Sequence, residues 1–318
     1  MKKILITGFS GFVSNHFIDY LSSLDQNFEI IGITRSSTNF PKYKNLIINI
    51  YQGDLKDDHF VKEIVATAKP HFILHLASDS SVAYSWKNPI KSFQNNTNIF
   101  LNLIEAVRLL EFDCRILSIG SSEEYGVVNK NSLPLTEQQI LNPISPYAVA
   151  RASQEMLGNV YSKGFGLDIV STRSFNHFGP GQNEKFVIAS FVKQIIERKK
   201  GIMDIPLQVG NIDIIRDFLD VRDVVKAYWL LLLEGKKGEI YNVCSGNGVS
   251  LKEVIQKIEL LADVDFSYEI NTELVRPADN PVIIGSNELI KTELGWYPKI
   301  TLEESLKDII NYWEKKYN

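Results

Sequence analysis

Through the first half of the chain, short apolar runs alternate with longer stretches whose apolar positions recur at helical spacing. The runs cover residues 4–6, 30–33, 46–50, 72–76, 116–119 and 168–172. They are rich in β-branched residues and mostly uninterrupted, which fits strands covered on both faces of a parallel sheet. Between them, Val13, Phe17, Leu21 and Leu24 form one helical stripe, and Leu103, Val107 and Leu110 form another. Strand and helix in alternation predict an α/β fold, with a doubly wound parallel sheet between two layers of helices.

After about residue 175 the pattern changes. Helical stretches at 186–198, 221–233, 251–261 and 302–313 dominate, joined by loops rich in Asn, Asp, Gly and Pro. This reads as a smaller, partly discontinuous C-terminal α/β domain. The division expected is residues 1–175 and 176–318, with an interleaved boundary.

Composition narrows the function classes. The 318 residues are 44% hydrophobic and 23% charged, ordinary values for a folded globular chain. A net charge of −4 provides no global basic field for nucleic acid or an anionic membrane, so neither is expected as a partner. Any phosphate must be held by individual arginines. Cys114 and Cys244 lie far apart in apolar stretches and read as small buried hydrophobes. No Cys/His spacing suggests a metal. The apolar run at residues 4–6 is too short for a signal peptide, and that at 224–233 too short for a membrane span. A cytoplasmic protein is expected.

Gly8-Phe9-Ser10-Gly11-Phe12-Val13-Ser14 follows the first run and opens the first helical stripe. Gly8 and Gly11 permit a tight turn and close backbone approach, so the N–H groups of a helix beginning at Phe12 and Val13 can face a pyrophosphate. The third small position is Ser14 instead of Gly. A strand, this turn and a helix at the N-terminus predict a Rossmann-type dinucleotide site; the plain alternative is a tight turn alone.

The second strand ends in Thr34-Arg35-Ser36-Ser37. No carboxylate stands there for the ribose hydroxyls, and a guanidinium beside hydroxyls suits a 2′-phosphate. NADP(H) is therefore favoured, with NAD(H) the alternative if Arg35 stacks on adenine. Asp54 and Leu55, after the third strand, are expected near adenine. Asp54 as a carboxylate at a helix N-terminus is the alternative.

Three further segments carry a family resemblance: His75-Leu76-Ala77-Ser78-Asp79-Ser80-Ser81-Val82, Gly120-Ser121-Ser122-Glu123-Glu124-Tyr125-Gly126, and Ser145-Pro146-Tyr147-Ala148-Val149-Ala150-Arg151. With the N-terminal motif, they resemble the extended short-chain dehydrogenase/reductases that modify sugar nucleotides. The resemblance is strongest to the GDP-6-deoxy-4-keto-mannose reductases and GDP-mannose 4,6-dehydratases, and runs over almost the whole chain.

The chemistry is legible in the residue types. Tyr147 and Arg151 lie one helical turn apart, with Pro146 at the first helical position and Ser145 as cap. A tyrosine beside a fixed cation can give or take a proton at a sugar oxygen. Ser121, ending the fifth strand, can direct its hydroxyl at the same oxygen. The alternative for Tyr147 is a packed helix aromatic. The family pattern is Tyr-x-x-x-Lys, whose lysine bonds the nicotinamide ribose and eases loss of the tyrosine proton. Arg151 departs from it: the charge stays, but the head is a bulkier fork unable to relay a proton. Glu123 matches the acid/base of the dehydratases, yet the reductases carry the same Ser-Ser-Glu-Glu-Tyr-Gly string, so it does not decide.

The resemblance further implies Leu76 and Ala77 at the dinucleotide. It implies Ser80, Ser122, Asn176, Val187, Lys193, Asn211, Arg216 and Arg276 at the sugar nucleotide. Two convergent arginines suit a pyrophosphate, and surface salt bridges are the alternative for each. The loop from Arg173 to Gln182 resembles the reductase version more than the dehydratase version. The expected function is NAD(P)-dependent C4 oxidation–reduction of a GDP-linked sugar, of the 4-keto-6-deoxy-hexose reductase type. The alternatives are a 4-dehydrogenase of a GDP-hexose or GDP-heptose, a GDP-mannose 4,6-dehydratase, and a non-catalytic dinucleotide-binding protein. Relatives pair two helices per copy into a four-helix interface, which implies a homodimer or tetramer through residues 101–110 and 148–161.

Overall fold

The apolar runs become the strands of one parallel sheet in a computed structural model that describes residues 1–38, 40–275 and 280–317. The strands are β1 (Lys2–Thr7), β2 (Phe28–Thr34), β3 (Leu46–Gln52), β4 (Phe72–His75), β5 (Arg115–Ser121) and β6 (Asp168–Ser174). Helices α1 (Phe12–Ser22), α2 (Asp58–Ala68), α3 (Val82–Lys87), α4 (Pro89–Phe93), α5 (Ile99–Leu110) and α6 (Pro146–Gly164) alternate with them.

The C-terminal half contributes strands β7 (Asn176–Phe178), β8 (Leu207–Val209), β9 (Ile215–Asp220), β10 (Ile240–Val243), β11 (Gly248–Ser250), β12 (Tyr268–Ile270) and β13 (Val282–Ile283). Its helices are α7 (Val187–Lys199), α8 (Val221–Glu234), α9 (Leu251–Ala262), α10 (Glu288–Leu294) and α11 (Leu302–Lys316).

The main sheet has seven strands in the order β10-β6-β5-β4-β1-β2-β3, all parallel. Chain order reverses between β1 and β4, and ligands of such sheets bind outside the strand ends at that point. Phe17, Ile18 and Leu21 of α1 pack with Val224, Tyr228 and Leu231 of α8 on one face. Val61 and Ile64 of α2 and Leu103 and Val107 of α5 cover the other. Over β1, β2, β4 and β5 both faces are thus sealed by apolar stripes, which is why those strands read as unbroken runs, whereas the edge strand β3 leaves Ile47 and Ile50 exposed.

The sequence pattern gave no strand at 240–243. Ile240, Tyr241 and Val243 flank a polar Asn242, which breaks the run. Asn242 is fully buried and satisfied: its Nδ2 donates to the Leu135 carbonyl at 2.9 Å, and its Oδ1 accepts from Tyr125 at 2.7 Å. The C-terminal half therefore divides. Helix α8 and strand β10 complete the first layer, while α7, α9 and α11 enclose a separate core of Ile188, Val192, Val254, Ile258, Leu306 and Trp313. Beside that core lie two small sheets, β11-β9-β13 with β7 on β9, and β12-β8. Their strands of two to six residues are too short to show a period of two.

Candidate active site

At the end of β1 the backbone turns at Gly8 with φ +67°, and a Cβ there would lie 2.9 Å from the Ala77 nitrogen. Only glycine admits both that conformation and that approach. The turn brings the end of β1 against Leu76 and Ala77 after β4, at the topological switch point. Gly11 precedes α1 as its N-cap, with no side-chain cap and no acidic residue in the first turn. The first N–H groups of α1, from Phe12 onward, thus face the switch point without a carboxylate competing for them. That arrangement fits the pyrophosphate of a dinucleotide.

At the end of β2, Thr34 Oγ1 lies 3.2 Å from Ser10 Oγ and donates to the Ser36 carbonyl at 3.0 Å. Arg35, on the same turn, is exposed. Asp54 Oδ1 accepts from the Lys56 nitrogen at 3.0 Å and the carboxylate pairs with the Lys56 ammonium at 3.4 Å. Helix α2 is capped instead by Asp57, which accepts from the Phe60 nitrogen at 3.1 Å. Leu55 is buried with α2 and α5.

Helix α6 begins at the Ser145 cap, whose hydroxyl accepts from the Ala148 nitrogen at 3.1 Å, with Pro146 at the first position. Tyr147 and Arg151 follow one turn apart, 6% and 4% exposed. Arg151 Nε donates to the Tyr147 hydroxyl at 3.2 Å, and Nη1 donates to the Ile119 carbonyl at 2.8 Å. That second bond ties α6 to β5 two residues before its end at Ser121. Ile119 and Ser121 share one side of the strand by its period of two. Ser121 takes its place from a reciprocal cap: Oγ accepts from the Glu123 nitrogen at 3.2 Å, and Glu124 Oε1 accepts from the Ser121 nitrogen at 2.6 Å. Ser122 is buried beside it and Glu123 is half-buried.

Several groups around this pair carried no signal of their own. His75, at the end of β4, is fully buried, with Nδ1 2.9 Å from Thr7 Oγ1. Burial, and then the Arg151 charge, push its imidazole down to about 3, so it stays neutral. Burial and then the neighbouring Glu155 hold the Glu124 carboxyl well above the usual range. Tyr228 of α8 reaches Ser174 Oγ at 2.7 Å, and burial raises its hydroxyl. Gln154 accepts from Arg151 Nη1 at 2.8 Å. Gln154 stands one turn beyond Arg151, His75 and Glu124 fall inside the resembling segments without being singled out there, and Tyr228 comes from a distant one.

Most of the substrate candidates lie on the C-terminal side. Asn176 on β7 pairs with Phe218 of β9, two residues from Arg216, so the two occupy neighbouring strands. Arg216 is 5% exposed, with Nη1 donating to the Ile215 carbonyl at 2.8 Å. Val187 opens α7. Lys193 lies 3.5 Å from Glu184 and 3.8 Å from Glu197, and Asn211 Oδ1 accepts from the Asp213 nitrogen at 3.1 Å. Ser80 is exposed after β4. Arg276 falls outside the described residues. The loop after β7 is bound to α1, since His16 Nε2 lies 2.9 Å from the Pro180 carbonyl.

A family model for GDP-mannose 4,6-dehydratase matches residues 5–309. The GDP-6-deoxy-D-mannose reductase of Pseudomonas aeruginosa is 33% identical over 315 residues, covering 99% of this chain and 98% of the relative. A GDP-mannose 4,6-dehydratase of Yersinia enterocolitica is 26% identical, with 98% and 93% covered. The solved structure of RMD from Pseudomonas aeruginosa complexed with NADPH superposes with a TM-score of 0.88 at 32% identity, covering 99% of this chain and all of that one. With its Gly8–Gly11 turn, its Tyr147–Arg151 pair and this full-length similarity, the chain belongs to the GDP-mannose 4,6-dehydratase family of extended short-chain dehydrogenase/reductases.

Proposed function

We propose that this chain is an NAD(P)-dependent C4 oxidoreductase of a GDP-linked sugar, of the 4-keto-6-deoxy-hexose reductase type. The observation that carries the reading is the buried Arg151–Tyr147 contact of 3.2 Å beside the end of β5. Residues 1–175 hold the dinucleotide through Gly8, Gly11, Phe12, Val13, Arg35, Asp54, Leu55, Leu76 and Ala77. Residues 176–318 supply Asn176, Val187, Lys193, Asn211, Arg216 and Arg276 to the sugar nucleotide, with Ser80 and Ser122 from the first part. The bound dinucleotide supplies the hydride chemistry. Tyr147 gives its hydroxyl proton to the C4 oxygen as the carbonyl is reduced, and takes it back in the reverse direction. Ser121 orients that oxygen by a hydrogen bond, and Arg151 fixes the tyrosine and provides the positive field.

A 4,6-dehydratase is the second reading, favoured by Glu123 standing half-buried in the turn after Ser121. In that reaction Glu123 serves as base and acid while water leaves. Incubation of the purified protein with each dinucleotide and a panel of GDP-sugars, followed by mass analysis, separates the two. Gain or loss of two hydrogens supports the oxidoreductase, whereas loss of water without net redox change supports the dehydratase.

The reading includes a homodimer or tetramer. On α6, Val149, Met156 and Val160 share one face and are 42%, 57% and 58% exposed, and Leu109 of α5 is 50% exposed. An apolar stripe on two neighbouring helices suits a four-helix interface with a second copy. It also includes a cytoplasmic enzyme serving polysaccharide biosynthesis. Among the described residues, no helix is long and apolar enough to cross a membrane.

A further inference from the structure

Gln154 is 1% exposed and lies one turn beyond Arg151 on α6, so the two side chains share the helix face toward β5. Its Oε1 accepts from Arg151 Nη1 at 2.8 Å. Its Nε2 donates to Ser118 Oγ at 2.8 Å and to the Ile119 carbonyl at 3.2 Å. The Ile119 carbonyl accepts from Arg151 Nη1 as well, at 2.8 Å. This network has one sense only. A flipped amide would set its NH2 group against the guanidinium, which has donors and no acceptor.

We propose that Gln154 is a positioning residue that fixes the Arg151 guanidinium so that Nε faces the Tyr147 hydroxyl. The proposal rests on the reading of Tyr147 as the proton donor. Its physical basis is the difference between the two cations. A lysine offers one compact ammonium that needs no particular rotation. An arginine offers a planar fork with five donors, and in a buried place the direction of one nitrogen is set by what holds the others. With Gln154 in place, Nη1 is held from two sides, by an amide oxygen and a strand carbonyl, and Nε is left for the tyrosine. Without it, Nη1 keeps one partner and the fork can turn. The departure from Tyr-x-x-x-Lys therefore comes with its own support three residues later.

Three ionisable groups from other elements surround the pair: His75 of β4, Glu124 of the turn after β5, and Tyr228 of α8. Gln154 is neutral, so its replacement by an apolar residue leaves their field in place. It removes the hold on the fork together with the amide's own bonds to Ser118 Oγ and the Ile119 carbonyl, and the lysine background subtracts the latter.

The test is a double-mutant cycle on the full-length enzyme with NADPH and GDP-4-keto-6-deoxymannose, comparing Gln154→Leu in the Arg151 enzyme and in an Arg151→Lys enzyme. In the first background kcat should fall roughly ten-fold or more, with both KM values unmoved within about two-fold, as for loss of one hydrogen bond to a charged group. In the lysine background the same change should cost less than about three-fold, because no second nitrogen needs holding. Equal losses in both backgrounds overturn the proposal. If Gln154→Leu does not fold, Ser118→Ala decides by the same comparison. It removes one of the two bonds made by the amide NH2 group, and should cost roughly three-fold beside arginine and nothing beside lysine. Tyr147→Phe is the separate arm. Unchanged turnover there overturns the acid/base reading itself, whereas lost turnover with an additive cycle overturns only the role of Gln154.

Discussion

Arg151 Nε donates to the Tyr147 hydroxyl at 3.2 Å, and the guanidinium carbon lies 5.4 Å from the tyrosine ring centroid. The contact is at the long end of the hydrogen-bond range, as catalytic contacts often are before substrate enters. Because Arg151 also bonds the Ile119 carbonyl, the cation, the phenol and the end of β5 are tied to one another. In the proposed reading the proton donor depends on both partners.

Removal of the phenolic hydroxyl by Tyr147→Phe should cost roughly 10²–10⁴-fold in turnover, the usual contribution of a general acid or base. Binding of the sugar nucleotide should persist, since the ring and the arginines remain. Arg151→Lys should keep or raise turnover, because it restores the cation with a smaller head. Arg151→Ala removes the cation that holds the Tyr147 hydroxyl at 3.2 Å, so turnover should fall. Steady-state kinetics across pH check all three, and full activity in Tyr147→Phe makes the tyrosine structural.

Arg35→Ala should weaken NADP(H) much more than NAD(H), because only the former carries a 2′-phosphate for the guanidinium. Dissociation constants of both dinucleotides, measured by calorimetry, check this. Equal effects on the two speak for stacking on adenine instead.

Arg216→Ala and Arg276→Ala should each raise the Michaelis constant for the sugar nucleotide about ten- to a hundred-fold, the worth of a charge-assisted contact. Dinucleotide binding should stay nearly intact. Loss of dinucleotide binding in either variant means that the assignment of the two halves is wrong.

Light scattering at micromolar concentration should return at least a dimer mass. Met156→Glu should shift it toward the monomer, because a charge in the middle of the apolar α6 face would be desolvated without a partner. A monomeric wild-type protein removes the four-helix interface from the reading.

His75 gives stability a pH dependence of known sign. Its folded-state pKa, pushed down to about 3, lies below the ordinary 6.5. The unfolded chain therefore binds a proton that the folded one refuses as pH falls below 6.5, and folding free energy is lost at up to ~1.4 kcal/mol per pH unit toward 3. Above 6.5 the contribution is constant. Urea denaturation of the wild type and of His75→Gln between pH 7 and 5 checks this. The variant should show a flatter dependence, and parallel curves contradict a buried neutral imidazole.

Six of the seven main-sheet strands were legible from their runs, and most clearly β1, β2, β4 and β5, because a strand sealed on both faces carries little besides apolar side chains. The turn Gly8–Gly11 and the pair Tyr147 and Arg151 were legible because their spacing is local: two glycines at a strand end, and one turn of a single helix. Local spacing says which residue types stand together along the chain, and the chain's family follows from them. It says nothing of what distant segments bring. That His75 of β4, Tyr228 of α8 and the Ile119 carbonyl of β5 converge on Arg151 was decided by tertiary packing, since they lie up to 77 residues away. Strand β10 was hidden for the same reason. Asn242 looks like a break in an apolar run, and becomes a strand residue only because Leu135 and Tyr125, more than a hundred residues away, satisfy its amide. A buried polar group is admissible when its partners are present, and only the folded chain supplies them.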